Sequence, residues 1–399
     1  MTLNRHIALL AILAFVNACS EPSSQADLRE TSDIVLSTSS PIADQYIVVL
    51  HSDPVSDGRA KNPGNVEFAE MVIRNQAEEL VSDHEVRAND IGFVYASSID
   101  GFSVRMSASQ AEAMKLDPRV KYVEQDQLIT MAPPKRGGSG GGSTAQVVPY
   151  GITRVGGSVN YTGSNVAWIL DSGVDLTHPD LNVQTADGFT AFTSGKDANL
   201  NDGNGHGTHV AGTIAAKNNT IGVVGVAAGA PVVPVKVLDS RGSGSYTGVI
   251  AGVNHVAARG KAGDVANMSL GGPASQALDE AVIAAAAKGI KFVLAAGNES
   301  KSATLSSPAR ANGTNIFTIS AMNNTDTWAS FSNFGNPPVD FCAPGVSIQS
   351  TWKGGGYNTI SGTSMASPHA AGVLLLGNGN TGGTVKNDPD NNADPIIVR

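Results

Sequence analysis

The chain has 399 residues, of which 41% are hydrophobic and 5% aromatic, enough for two folded units with processed ends. Its net charge of -9 sits mainly at the front: residues 20–144 hold 19 Asp and Glu against 11 Lys and Arg, whereas residues 145–399 hold 16 against 14. Neither part carries a basic patch of the kind that binds phosphate backbones, which excludes nucleic acid as an expected partner.

Residues 1–19 place Arg5 before the apolar run Ile7 to Val16, about half the length needed to cross a bilayer, so they read as an export signal. No other stretch is a candidate for a membrane span. Val16-Asn17-Ala18-Cys19 leaves two readings open: a lipoprotein-type box that would make Cys19 an acylated N-terminus, and ordinary cleavage after Ala18. The expected location is extracellular or periplasmic, with a lipid anchor on the precursor in the first case. Only Cys342 lies downstream, so the later part has no internal disulfide, and Cys342 reads as a small buried residue.

Residues 20–43 form a polar, Ser-rich linker. Tyr46 to Leu50 then reads as a strand, Glu67 to Val81 as an amphipathic helix, Phe93 to Tyr95 and Phe102 to Met106 as strands, Ser109 to Leu116 as a helix, and Val120 to Glu124 as a last strand. This order is that of a small α+β, ferredoxin-like domain over residues 44–131. Residues 132–144, rich in Pro, Gly and Ser, make a flexible linker open to proteolysis. Over 145–376, apolar runs at Val166 to Leu170, Val232 to Leu238, Val265 to Leu270, Phe292 to Ala296 and Ile316 to Ala321 alternate with helices such as Thr247 to Ala258 and Ala277 to Lys288. Continuous apolar strands with helices between them predict an α/β fold, a doubly wound, mostly parallel sheet flanked by helices. Residues 377–399 read as a polar tail in coil.

Three short words in this α/β region hold residue types that cooperate in nucleophilic hydrolysis. Asp171 ends Ala167-Trp168-Ile169-Leu170-Asp171 at the carboxyl end of a predicted strand; His206 opens the small-residue stretch Gly205 to Ala216; Ser364 lies in Gly362-Thr363-Ser364-Met365-Ala366-Ser367-Pro368 before a small-residue helix. A serine hydroxyl is a weak nucleophile until an imidazole takes its proton and a carboxylate orients that imidazole. Taken singly, Asp171 could be a turn residue and Ser364 a helix cap. His206 and His209 are three apart with no glutamate between them, which does not match the zinc-protease helix, and His178, His209 and His369 read as structural. The serine word also lacks the Gly-x-Ser-x-Gly elbow of lipases and esterases.

The order Asp171, His206, Ser364, each in its glycine-bounded word, resembles the subtilisin-like serine proteases, over residues 44–131 and 145–376. The resemblance implies a serine endopeptidase acting on proteins or peptides, and makes 44–131, closing on Tyr122-Val123-Glu124-Gln125-Asp126, an intramolecular inhibitory propeptide. It implies that Asn298 joins the Ser364 N–H in holding the oxyanion, and that substrate lies as an added strand between Gly242-Ser243-Gly244 and Ser269-Leu270-Gly271. Ala295, Ala296 and Gly297 would wall the primary pocket, with Glu299 at its rim either selective or merely solvated, and Tyr246 would cap a more distant pocket. It also implies a structural Ca²⁺ held by Gln146, Asp180 and Asn219 with the carbonyls of Lys217, Ile221 and Val223. Self-cleavage is expected between Met131 and Ala145, and a monomer after it. A non-enzymatic binding module and an esterase using the same triad are the alternatives.

Overall fold

The computed structural model describes residues 37–53, 57–131 and 145–399. Cys19, with the rest of the expected export signal, and the 132–144 linker lie outside the described residues. The N-terminal elements are β1 (Ser37–Leu50), α1 (Val66–Asp83), β2 (Ile91–Tyr95), β3 (Gly101–Arg105), α2 (Ala108–Met114) and β4 (Val120–Met131), in the order read from the sequence. The strands lie as β4-β1-β3-β2, each neighbouring pair antiparallel.

Local chemistry sets the helix starts. The Asn65 side chain accepts the Phe68 N–H at 3.0 Å, and Ser107 with Gln110 forms a reciprocal capping box. Along β1 the pleat divides the apolar residues between two cores. Tyr46, Val48 and Leu50 join Ile73, Ala77 and Leu80 of α1, while Ile47 and Val49 pack with Tyr246, Val249, Val253 and Leu278 of the main body. The N-terminal sheet is therefore apolar on both faces, one turned to its own helices and one to the larger sheet's helices.

In the main body the elements used below are β5 (Ala167–Asp171), β6 (Asn182–Val183), β7 (Phe189–Thr190), α3 (His206–Ala215), β8 (Pro231–Lys236), β9 (Ser243–Ser245), α4 (Tyr246–Arg259), β10 (Val265–Met268), α5 (Gln276–Ala286), β11 (Lys291–Ala295), β12 (Ile316–Met322), β13 (Val339–Pro344), β14 (Ile348–Trp352), β15 (Gly356–Ile360), α6 (Thr363–Leu376), β16 (Asn380–Thr384) and β17 (Pro395–Val398). The large sheet runs β16-β17-β13-β12-β11-β10-β5-β8-β6, with β7 also on β8, and every pair is parallel except β16 with β17. Residues of α4 and α5 pack in one core and those of α3 and α6 in another, so helices cover both faces as expected. β5 lies between β8 and β10, where the winding reverses, and its carboxyl end opens on the crevice there.

Two expectations are corrected. The polar linker expected over residues 20–43 gives way earlier to a strand: β1 begins at Ser37, because Ser37–Pro41 pairs antiparallel with Gln127–Met131. This pairing runs through backbone groups, which a Ser-Thr-Ser-Ser-Pro stretch does not announce by apolar alternation. The tail from 377 is not coil: β16 and β17 form an antiparallel pair, and β17 adds to the large sheet beside β13. Ile396 and Ile397 are fully buried, Ile397 in the core shared by α3 and α6. A four-residue apolar run inside polar residues was too short a signal. Ile397→Ala is expected to cost about 2–5 kcal/mol, read as a lower urea midpoint at unchanged slope.

Candidate active site

Asp171 and His206 meet because two backbones approach without side chains between them. A Cβ on Gly207 would lie 2.1 Å from the carbonyl oxygen of Gly173, so α3 reaches the end of β5 only with glycine there. Gly205, at φ 115°, turns the chain into α3 under the Trp352 ring. His206 Nδ1 then lies 2.8 and 2.9 Å from the two carboxylate oxygens of Asp171, both side chains fully buried. Donation from Nδ1 leaves Nε2 as the acceptor, and Nε2 is buried without a hydrogen-bond partner among the described residues. Burial opposes charging His206, but the Asp171 carboxylate, aided by Asp202, outweighs it and holds the imidazole pKa above its ordinary value.

Ser364 is the second residue of α6. Its Oγ donates to Ser269 O at 3.2 Å, and the structure records no bond between it and His206 Nε2. Ser269 holds this helix start firmly, its Oγ contacting Ser364 O and Ser367 Oγ, each at 2.8 Å. Asn298 Oδ1 accepts from the Thr363 N–H (2.8 Å) and hydroxyl (2.9 Å), which turns the amide nitrogen the other way. A Cβ built on Gly362 would be 3.5 Å from Asn298 Nδ2 and 3.6 Å from Ser364 N, so two donors flank one point. An oxyanion would need two such donors within about 3 Å of it.

The end of β4 lies in this cleft. Leu128–Thr130 pair antiparallel with β9, and Met131 N donates to Gly242 O at 2.9 Å. Met131 lines a pocket with Leu270, Gly271, Ala295, Ala296, Gly297, Asn298 and Ser364. Of the two segments expected to flank a bound strand, Gly242–Ser245 pairs with β4; on the other edge the described partner is Ser37–Pro41, while Leu270 and Gly271 serve as pocket wall. Tyr246 is buried, donates to Pro273 O at 2.5 Å and packs in one cluster with Ile129. Glu299 is held at the rim by Asn333 Nδ2, 2.8 Å away.

Elsewhere, Gln146, Lys217, Asn219 and Val223 converge. Gln146 Nε2 faces Lys217 O (2.8 Å), Asn219 Oδ1 (3.4 Å) and Val223 O (3.4 Å), so one amide with two protons serves three oxygens. Asp180, fully buried, accepts from Asn219 Nδ2, Val223 N and Tyr357 Oη, and burial raises its pKa. Ile221 enters through its N–H, on Asn219 Oδ1 at 2.7 Å. Oxygen donors with one carboxylate fit a hard cation once the Gln146 amide is turned to present Oε1. Among the described residues, no group of three His, Cys, Asp or Glu side chains is suited to hold a metal.

The three histidines read as structural bond to backbone carbonyls: His178 to Gly356, His209 to Ile348, His369 to Met365. Burial pushes His209 down to about 3 and His369 to about 4. Sequence reading missed Thr363, Asn333 and Asp202, whose side chains hold Asn298, Glu299 and the start of α3 respectively. The Thr before the serine carried the one usable signal, a hydroxyl at a helix start. Gly207→Ala is expected to force α3 off β5 at a cost of roughly 1–3 kcal/mol or more, seen as a lowered thermal midpoint together with loss of reaction of Ser364 with a fluorophosphonate.

Comparison with known proteins gives the family of the chain. The Subtilase family model matches residues 163–380, and the Peptidase inhibitor I9 model matches residues 45–132. Alkaline serine exoprotease A of Vibrio alginolyticus is 37% identical over 89% of this chain, which spans 65% of that protein's length. Subtilisin E of Bacillus subtilis (strain 168) is 43% identical over 70% of this chain and 70% of its own. Among solved structures, that of a cold adapted subtilisin-like serine proteinase matches with a TM-score of 0.51 at 40% identity, covering 57% of this chain and 83% of that one. The chain belongs to the subtilase family.

Proposed function

We propose that this protein is a secreted serine endopeptidase made as a self-processed zymogen. The reading is supported above all by the buried Asp171–His206 pair, whose Nε2, without a hydrogen-bond partner among the described residues, is a ready proton acceptor on a helix that packs against the Ser364 helix. Ser364 Oγ turns from Ser269 O toward His206 Nε2 and attacks the peptide carbonyl carbon while His206 takes its proton. Asp171 stays ionised and keeps the ring in place. The carbonyl oxygen, now negative, is held by Asn298 Nδ2 and Ser364 N–H; His206 returns the proton to the leaving amine as the C–N bond breaks, and water repeats the sequence on the acyl-enzyme.

Residues 44–131 act as the inhibitor, laying Leu128–Met131 along Gly242–Ser245 as a substrate would lie, with Met131 at the primary pocket. Cleavage falls between Met131 and Ala145 and leaves the part that carries Asp171, His206 and Ser364 as the mature enzyme. Small walls at Ala295, Ala296 and Gly297 favour a roomy, apolar pocket and broad specificity for proteins and peptides. Gln146, Asp180, Asn219 and the carbonyls of Lys217, Ile221 and Val223 would hold a structural Ca²⁺, which pins the mature start beside the Thr220–Val223 loop.

Full-length protein is expected to cut itself between Met131 and Ala145 and then hydrolyse casein. Ser364→Ala should do neither and stay at the mass of the uncut chain; maturation of that variant in a protease-free host would overturn self-processing. Chelating calcium from the mature enzyme is expected to lower its thermal midpoint by several degrees, and Asp180→Asn should abolish that response, as scanning calorimetry with and without EGTA would reveal.

A further inference from the structure

Asp202, in the loop that leads into α3, is a buried carboxylate with five donors on it. Oδ1 accepts from Ser172 Oγ (2.9 Å), Asn204 N (2.9 Å) and Gly205 N (2.8 Å); Oδ2 accepts from Thr208 N (2.9 Å) and Thr208 Oγ1 (2.6 Å). An ordinary helix cap would need one such bond. What sets Asp202 apart is Ser172, which follows Asp171 in the chain: its N–H donates to Asp171 Oδ1 at 2.7 Å, and its Oγ receives the Gly207 N–H at 3.1 Å while donating to Asp202.

The contacts close a ring. It runs from the His206 imidazole to Asp171, along the chain to Ser172, across its hydroxyl to Asp202, and through the Gly205 and Thr208 amides back to the helix turn that carries His206. We infer that Asp202 is a positioning residue for His206: acting through Ser172 and the α3 start, it locks the imidazole onto Asp171 and adds a second buried negative charge beside it. All five donors to Asp202 are neutral, so no ion pair cancels its charge; burial pushes its pKa up, and the Thr208 and Gly205 donors draw it back toward the carboxylate form. The other titratable groups around this ring are Asp171 on β5, His209 one turn along α3, kept neutral by burial, and Lys236 on β8. Lys236 Nζ is spent on Ser172 O (2.6 Å) and Asn201 O (3.3 Å) and lies 3.5 Å from Asp197.

The inference rests on the endopeptidase reading above, and both can be tested on full-length protein allowed to mature. Asp202→Asn and Ser172→Ala would be compared with wild type and Ser364→Ala on a peptide anilide, each rate divided by the number of sites that react with a fluorophosphonate. For Asp202→Asn, per-site kcat is expected to fall roughly ten- to hundredfold at unchanged KM. The acid limb of its kcat/KM profile should move roughly one unit to lower pH, because a negative charge that favours the imidazolium is gone. Ser172→Ala should lose kcat with the acid limb in place, since Asp202 keeps its charge. A lower thermal midpoint with per-site kcat and acid limb both unaltered would reduce Asp202 to a cap and overturn the inference. If Asp202→Asn yields no folded protein, Ser172→Ala decides it, an unaltered per-site kcat overturning the ring. Wild type no faster than Ser364→Ala would instead overturn the endopeptidase reading, and this inference with it.

Discussion

The contact on which the rest depends is the bare backbone approach of α3 to the end of β5, where Gly207 leaves no room for even a methyl group against Gly173 O. A buried carboxylate and a buried imidazole are costly to desolvate, and they persist only when geometry lets each satisfy the other. That geometry is supplied by the large sheet, which ends β5 at Asp171 in the crevice beside β8, and by α3, which delivers His206 at its first residue. Ser364 is fixed by a different part of the fold, the start of α6 tied to Ser269 beyond the end of β10. The three residues thus come from separate strand ends and helix starts of one packed body, and small shifts between those elements matter more to chemistry than to folding.

The N-terminal sheet shows how a substrate-like strand can be made from an ordinary fold. Its inner face packs on α4 and α5 through Ile47, Val49, Tyr95 and Ile129, while its own helices cover the other. Polar contacts fix the orientation. Asn254 Oδ1 on α4 gathers the N–H groups of Ala96, Ser97 and Ser98, and Asp126 accepts the Thr247 N–H and hydroxyl at the α4 start. Glu124 accepts the Ala277 N–H at the start of α5. These carboxylates sit at positive helix ends, which favour negative charge, while burial pushes the Asp126 pKa up.

Much of this was legible in the sequence because the words around Asp171, His206 and Ser364 combine a reactive residue with the glycines that let it be approached, and because buried parallel strands read as unbroken apolar runs. The rest escaped for physical reasons. Asp202 lies in Asn201-Asp202-Gly203-Asn204-Gly205, which reads as a turn, and only the fold brings Ser172 to it. Asn254 lies among the apolar residues of α4 and gains its meaning from a loop more than 150 residues away. β17 was hidden because four apolar residues among Asn, Asp and Gly carry no period.

The strand Ser37–Pro41 changes what it means for the inhibitory segment to let go. A strand docked along one edge can peel from its end, one hydrogen bond at a time. Here Leu128–Met131 has β9 on one edge and β1 on the other, and β1 is continuous with the centre of the N-terminal sheet. Fraying at Met131 therefore has to break pairings on two sides together, and the stretch is tied to a strand that cannot move without the sheet. The β1 pairing is internal to the N-terminal sheet, so the stretch leaves β9 with fewest broken bonds when the sheet moves as one unit, which couples its release to that sheet's packing on α4 and α5.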